Sequence, residues 1–372
     1  MKTQTNYVPQ DIHTDILLRL PVKALIRFRL VSKSWCTLLK DPNFMTTHLN
    51  HTSANHGYDL LIHTQDKNLA ISLLSNKTLD VTLKIDTPSP KVLQPEVIVG
   101  SCNGLVCLYK DSMILLWNPA TKEHKVLPSP CIGPPFLNPL LVRVSMGFGL
   151  HVNDYKVVRV VKFRSQVAAK VEVYSTRKGC WRVINDAIVP CDIEQRKCSV
   201  VVKGVPYWLG FGPFWPDTIF GTEREVRRDE FVLSFDMGNE VFRQVDVPDA
   251  KGSHFKYSKK LGVYNESIAI MYYPSYEQFD RLIEIWVMKD HGVDEGWDKV
   301  LRIGRPFSSL WTPLGCWENG MVILQNDSQQ LLLYDPNIDK AKVVSVAPSL
   351  RFYTSVATYM ESLVPVDGGT RI

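Results

Sequence analysis

Two kinds of turn alternate along this chain, each returning roughly every 50–60 residues, and that long period constrains the fold more than any other feature. The first kind is a tight turn opening onto an apolar run: His56-Gly57, Asn103-Gly104, Asn153-Asp154, Lys203-Gly204, Asn265-Glu266 and Asn319-Gly320. The second follows a run ending in Leu or an aromatic: Leu74-Ser75-Asn76, Trp117-Asn118-Pro119, Tyr174-Ser175-Thr176, Phe235-Asp236-Met237, Trp286-Val287-Met288 and Tyr334-Asp335-Pro336. Between them lie short runs of strand-forming residues, such as Leu105-Val106-Cys107-Leu108 and Phe231-Val232-Leu233-Ser234-Phe235. Six evenly spaced units predict six four-stranded antiparallel blades, a kelch-like propeller over residues 58–364, with 365–372 as a tail. A β-sandwich is the alternative, but sandwiches have no such period. The apolar run at 353–364 is expected to supply the strand that closes the ring.

In a four-stranded antiparallel blade the first and third turns share one end of the ring. The middle loop and the connection to the next blade share the other. Here the signature turns are short, while the remaining connections at 127–143, 211–229, 248–260 and 302–313 are long. Long loops on a rigid scaffold carry recognition, and aromatics with Arg are typical interface anchors. Phe136, Phe214, Trp215, Arg224, Arg227, Arg228 and Trp311 are therefore the candidate target-binding residues. For each, ordinary packing or a solvated loop is the competing reading.

The first 49 residues have a different period. Ile12, Ile16 and Leu20 recur every four residues on a helix opening near Pro9 and stopped by Pro21. Val22, Leu25 and Phe28 form a second apolar stripe, and Ser32 is placed to cap a third helix carrying Trp35, Leu38 and Leu39, ending before Asp41-Pro42. Three short helices carry more large apolar side chains than their mutual seam can hide, so either the next domain or another protein covers the surplus. Residues 50–57 are polar and are expected to be a linker. His48 and His51 could share a helix face, but no Cys or acidic partner stands at ligand spacing, so no metal site or other cofactor is expected.

Val8-Pro9, Asp11-Ile12, Ile16-Leu17, Arg19-Leu20-Pro21-Val22-Lys23, Leu25, Arg27-Phe28, Val31-Ser32-Lys33-Ser34-Trp35 and Pro42-Asn43-Phe44 together resemble the F-box. That is the module binding the Skp adaptor of Skp/cullin/F-box (SCF) ubiquitin ligases, here most similar to the plant form. Val8 in place of Leu and Asp15 in place of Glu are the departures, both conservative. The resemblance implies an adaptor-binding set of Pro9, Ile12, Ile16, Leu17, Leu20, Pro21, Val22, Leu25, Phe28, Val31, Ser32, Lys33 and Trp35. The large remainder resembles the F-box-associated interaction domain of plant F-box proteins. The matching residues are Ser101-Cys102-Asn103-Gly104-Leu105-Val106-Cys107, Trp117-Asn118-Pro119-Ala120-Thr121, Gly147-Phe148-Gly149 with Asn153-Asp154-Tyr155-Lys156-Val157-Val158, and Val205-Pro206-Tyr207-Trp208. The resemblance implies a non-catalytic substrate receptor. Through the adaptor it joins cullin and RING subunits, and through its propeller it holds a target protein. An F-box scaffold or inhibitor acting without ubiquitination, and a sugar-binding propeller, are the alternatives.

Charge fits that division. Residues 1–50 hold seven Lys/Arg against three acids, a surplus of four within a chain whose net charge is +5. This favours an acidic partner at the helical module and gives the β-region no charge-based reason to bind nucleic acid or a membrane. No phosphate loop, His-Glu-x-x-His or Gly-x-Ser-x-Gly motif is present. The polar start and eight scattered cysteines without a Cys-x-x-Cys pair suggest a reduced cytoplasmic or nuclear setting.

Overall fold

The computed structural model describes residues 9–56, 59–64, 71–75, 81–85, 97–110, 113–133, 142–163, 166, 168–190, 192–193, 200–212, 230–248, 257–274, 282–289, 296–304, 311–317, 320–328, 330–344 and 354–371. Short helices come first: α1 (Gln10–Leu18), α2 (Val22–Phe28), α3 (Lys33–Leu38) and α4 (Pro42–His56). An all-β propeller follows.

Each helix boundary has a local cause. Pro9 caps α1, and Pro21, which has no N–H to continue that helix, caps α2. The Ser32 hydroxyl accepts a 3.2 Å hydrogen bond from the Trp35 N–H at the start of α3. The fourth helix corrects two expectations, since three helices were predicted and residues 50–57 were read as a linker. Asp41 does more than end α3. Its Oδ1 accepts the N–H groups of Asn43 and Phe44, at 2.9 and 3.0 Å, while Pro42 takes the first helical position. The helix so started runs on through polar residues to His56, so the His56-Gly57 signature begins at a helix end rather than in a hairpin.

The β-strands are β1 (Asp59–Thr64), β2 (Ile71–Leu74), β3 (Val81–Ile85), β4 (Val97–Cys102), β5 (Leu105–Lys110), β6 (Met113–Asn118), β7 (Glu123–Val126), β8 (Val142–His151), β9 (Asp154–Phe163), β10 (Lys170–Ser175) and β11 (Cys180–Ile184). They continue as β12 (Asp192–Ile193), β13 (Val200–Val202), β14 (Val205–Phe211), β15 (Glu230–Asp236), β16 (Val241–Asp246), β17 (Tyr257–Tyr264), β18 (Ser267–Pro274), β19 (Ile283–Met288) and β20 (Trp297–Ile303). The last are β21 (Thr312–Cys316), β22 (Val322–Gln325), β23 (Leu331–Asp335), β24 (Lys340–Val343), β25 (Thr354–Tyr359) and β26 (Thr370–Arg371). Among the described residues all pairings are antiparallel, and the strands fall into six sheets.

Six like units were expected; among the described residues four sheets are contiguous in sequence, the second gains a far strand at its outer edge, and the first is a composite of two distant segments. The composite sheet has the order β25-β1-β2-β3, with β25 returning from the far end of the chain so that Tyr359 lies opposite Asp59. Its inner strand therefore needs no tight turn, which is why the first signature has only five true hairpins. The expected closure by the 353–364 run takes this form. Residues 365–372 are not a free tail: β26 pairs with β7 at the outer edge of the second sheet.

Apolar side chains on both faces of the strands explain why the runs are almost continuously hydrophobic. Along β5, Leu105 and Cys107 join a core with Met146, Phe148 and Tyr174 of the third sheet, while Val106 and Leu108 join one with Ile71, Leu73 and Tyr359 of the first. The same exchange links each sheet to its successor, and Leu74 with Leu314, Trp317 and Leu331 closes the circle. Each strand thus splits its residues between two layers, the packing of a ring of sheets rather than of two stacked ones.

Candidate functional site

The two ends of the ring differ. At one end lie the tight hairpins, with positive φ at Asn103 and Gly104, at Val152 and Asn153, at Lys203 and Gly204, and at Asn265 and Glu266. Beside them lie four-residue turns in which Lys122, Gly179, Glu240 and Asp339 take the left-handed conformation. Asx-type bonds hold several of these. Asn118 Oδ1 accepts from the Ala120 and Thr121 N–H groups, and Asp236 Oδ1 accepts from those of Gly238 and Asn239. The backbone N–H of Asn239 is the leading reason that the Asp236 carboxyl is held below its ordinary value. Since β1 enters where β25 leaves, the helical module joins the ring at this hairpin end. The segments 127–143, 211–229, 248–260 and 302–313 join strand ends at the opposite end.

At the helical module the buried core is Leu17, Val22, Leu25, Leu39 and Phe44, flanked by half-buried Leu20, Phe28 and Trp35. His48 is a satisfied core histidine: its Nε2 lies 2.9 Å from the Leu20 carbonyl, and its ring stacks on Phe44. Among the described residues no group of His, Cys, Asp or Glu is placed to hold a metal.

The side chains left uncovered define a face. Ile12 and Ile16, on one stripe of α1, are 50% and 51% exposed, and Leu30 and Val31, between α2 and α3, are 89% and 64% exposed. Pro9, Pro21, Ser32 and Lys33 are exposed as well. Trp35 bridges the helices, its ring 5.4 Å from that of Phe28 and 6.2 Å from that of His13. On the propeller, by contrast, exposed Val126, Val183, Val241, Val300 and Val343 sit singly on outer strands, which is ordinary. Val152, Ile188 and Ile338 are exposed singly in connections, so among the described residues the helical module is where apolar surface is gathered and left open. One correction follows: Leu17, Val22 and Leu25, expected at an adaptor face, point into the module's own core. Leu30, just before the Val31-Ser32 match, lay outside the expected set yet is the most exposed of these apolar side chains.

At the loop end, buried polar groups anchor the roots of the long segments. Glu172 on β10 lies opposite Arg159 on β9, and the two form a buried ion pair. The same carboxylate accepts the N–H groups of Cys131 and Ile132 at 2.8 and 3.0 Å, and Arg159 donates to the Ile132 carbonyl at 2.7 Å. Trp181 Nε1 donates to the Pro128 carbonyl at 2.8 Å, and the Tyr272 hydroxyl donates to that of Pro248 at 2.5 Å. Lys259, paired with Glu230, lies beneath this end, and burial pulls its amine down to about 8. Of the expected target-binding residues, Trp311 is half-buried against the core that contains Ile283 and Leu324, which is a packing role. Phe136, Phe214, Trp215, Arg224, Arg227 and Arg228 lie outside the described residues. Burial pushes the Cys102 and Cys316 thiols up to about 12, so these two act as small apolar residues rather than nucleophiles.

The described residues thus place an open apolar helical surface at one end of a propeller and the roots of long connections at the other. Residues 60–366 match the F-box associated beta propeller domain, and residues 8–47 match the F-box domain. The chain belongs to the F-box-associated propeller family and carries its F-box first. It is 26% identical to the F-box protein At3g07870 of Arabidopsis thaliana, covering 90% of this chain and 86% of that one. It is also 26% identical to the Arabidopsis F-box protein CPR1, covering 91% and 84%. Among solved structures, dipeptidyl peptidase 4 of Porphyromonas gingivalis aligns at 10% identity with a TM-score of 0.37, over 79% of this chain and 45% of that one.

Proposed function

We propose that this protein is the substrate-receptor subunit of an SCF ubiquitin ligase in the cytoplasm or nucleus, contributing proximity rather than chemistry. Its F-box holds a Skp-type adaptor, and through it cullin and RING subunits, by Pro9, Ile12, Ile16, Leu20, Pro21, Phe28, Val31, Ser32, Lys33 and Trp35. The loop end of the propeller holds the target. The observation that carries the reading is the open apolar face on α1 and the α2–α3 turn, left outside the module's buried core. Light scattering on a gel-filtered mixture with a purified Skp-type adaptor tests it. An equimolar complex is expected, and separate elution at micromolar concentrations overturns it.

A further inference from the structure

We infer that residues 360–366, far from the F-box in sequence, are a structural part of it: Leu363 completes the F-box core, and the surrounding segment clamps the module to the hairpin end of the second sheet. Leu363 is fully buried among Leu17, Val22, Leu25, Leu39 and Phe44, with Ala120 of the β6–β7 turn packed on the same cluster. Among the described residues no other buried side chain of the β-region belongs to that core.

The segment is built to present this side chain. Asn118, itself fully buried, donates through Nδ2 to the carbonyls of Ser362 at 3.1 Å and Val364 at 2.7 Å, the two residues flanking Leu363. The Ser362 hydroxyl donates to the Asn103 carbonyl at 2.7 Å. Close approach there needs Gly104, where a Cβ would lie 2.3 Å from Ser362 Oγ. Beyond Leu363 the Val366 N–H donates to Glu123 at 3.2 Å, and Lys125 Nζ donates to the Asp367 carbonyl at 2.9 Å. These bonds tie the segment to the two hairpins of one sheet, so the F-box core is joined to that sheet through Leu363. A small helical unit lacking enough core of its own is stabilised by such a borrowed residue.

For adaptor binding the consequence rests on the function proposed above. The integrity of the adaptor face depends on the carboxy-terminal segment, and the angle between adaptor and loop end is set by it. The test uses the full chain with Leu363→Asp and, separately, Ala120→Lys, which enters the same seam from a turn on the propeller side. Amide hydrogen exchange should quicken roughly tenfold or more in α1, α2 and α4 while β4–β7 keep their protection, and adaptor affinity should fall roughly tenfold or more. Unchanged exchange in the F-box helices overturns the inference, as does loss of protection spread equally through β4–β7. If Leu363→Asp does not fold, Ala120→Lys decides by the same criteria. Faster F-box exchange in a protein whose unaltered form binds no adaptor would support the inference and remove the proposed function.

Discussion

Ile12 and Ile16 on one side of the F-box, and Leu25 on the other, should respond in opposite ways to truncation. Both isoleucines are about half exposed, so half of each side chain is already buried within the module and half is available to a partner. Fully burying such a side chain is worth about 1.5–3 kcal/mol, so the available halves together amount to about 1.5–3 kcal/mol. Ile12→Ala with Ile16→Ala should therefore weaken binding to a Skp-type adaptor by about 10–100-fold in titration calorimetry. The folded chain should lose less than it does on truncation of a fully buried leucine, because a half-buried side chain gives up only part of its burial and Ala is the best helix former. Leu25 is completely buried, and Leu25→Ala should cost about 2–5 kcal/mol of F-box stability, visible as a lower melting temperature or faster exchange in α2. Equal loss of stability in both variants would refute the assignment of inner and outer faces. So would undiminished affinity in the double variant.

Glu172→Ala should destabilise the propeller by about 3–5 kcal/mol, because Arg159 is left as an unpaired buried charge, and the Cys131 and Ile132 amides should lose exchange protection. Pairing Glu172→Met with Arg159→Met should restore much of the stability without restoring that protection. Glu361, in the segment that carries Leu363, has its carboxyl raised from 4.5, first by burial and then by Asp59, with Lys23 opposing. The folded state then binds more protons than the unfolded one, so this group's contribution to stability falls as pH rises through and above 4.5. Glu361→Gln should accordingly raise the melting temperature at neutral pH, with the difference vanishing below 4.5; an unchanged or lowered neutral value contradicts this. Replacing Trp215, Arg227 and Arg228 together with Ala should abolish target capture, at about 1–2 kcal/mol or more per anchor, while sparing adaptor binding and thermal stability. Unchanged capture would move the target site to another loop.

What could be read from the sequence was whatever is encoded locally. Ser32 ahead of Trp35, Pro21 between two apolar stripes, and Asn103-Gly104 between two strand patterns each specify their turn from adjacent residues. The fourth helix was hidden because Asp41-Pro42 marks a stop and a start equally well, and the helix it opens is polar. Period alone could not assign faces on a nine-residue helix with apolar residues all round, so Ile16 and Leu17 looked alike although one is exposed and the other buried. The closing strand was signalled by the apolar run at 353–364, but the place of Leu363 depends on residues brought together from opposite ends of the chain, for which no local pattern exists. Target residues could be proposed only from loop length and composition, and Trp311 shows how readily such an aromatic turns out to be packing.

The most direct test is ubiquitin transfer in a reconstituted ligase containing the adaptor, cullin and RING subunits, activating and conjugating enzymes, and proteins captured by this chain. A receptor that joins adaptor and target at opposite ends should direct ubiquitin onto a captured protein when the F-box is intact. Transfer should be lost with Ile12→Asp and Ile16→Asp, even though capture persists. Equal ubiquitination with and without those substitutions, or capture without any transfer, would contradict it.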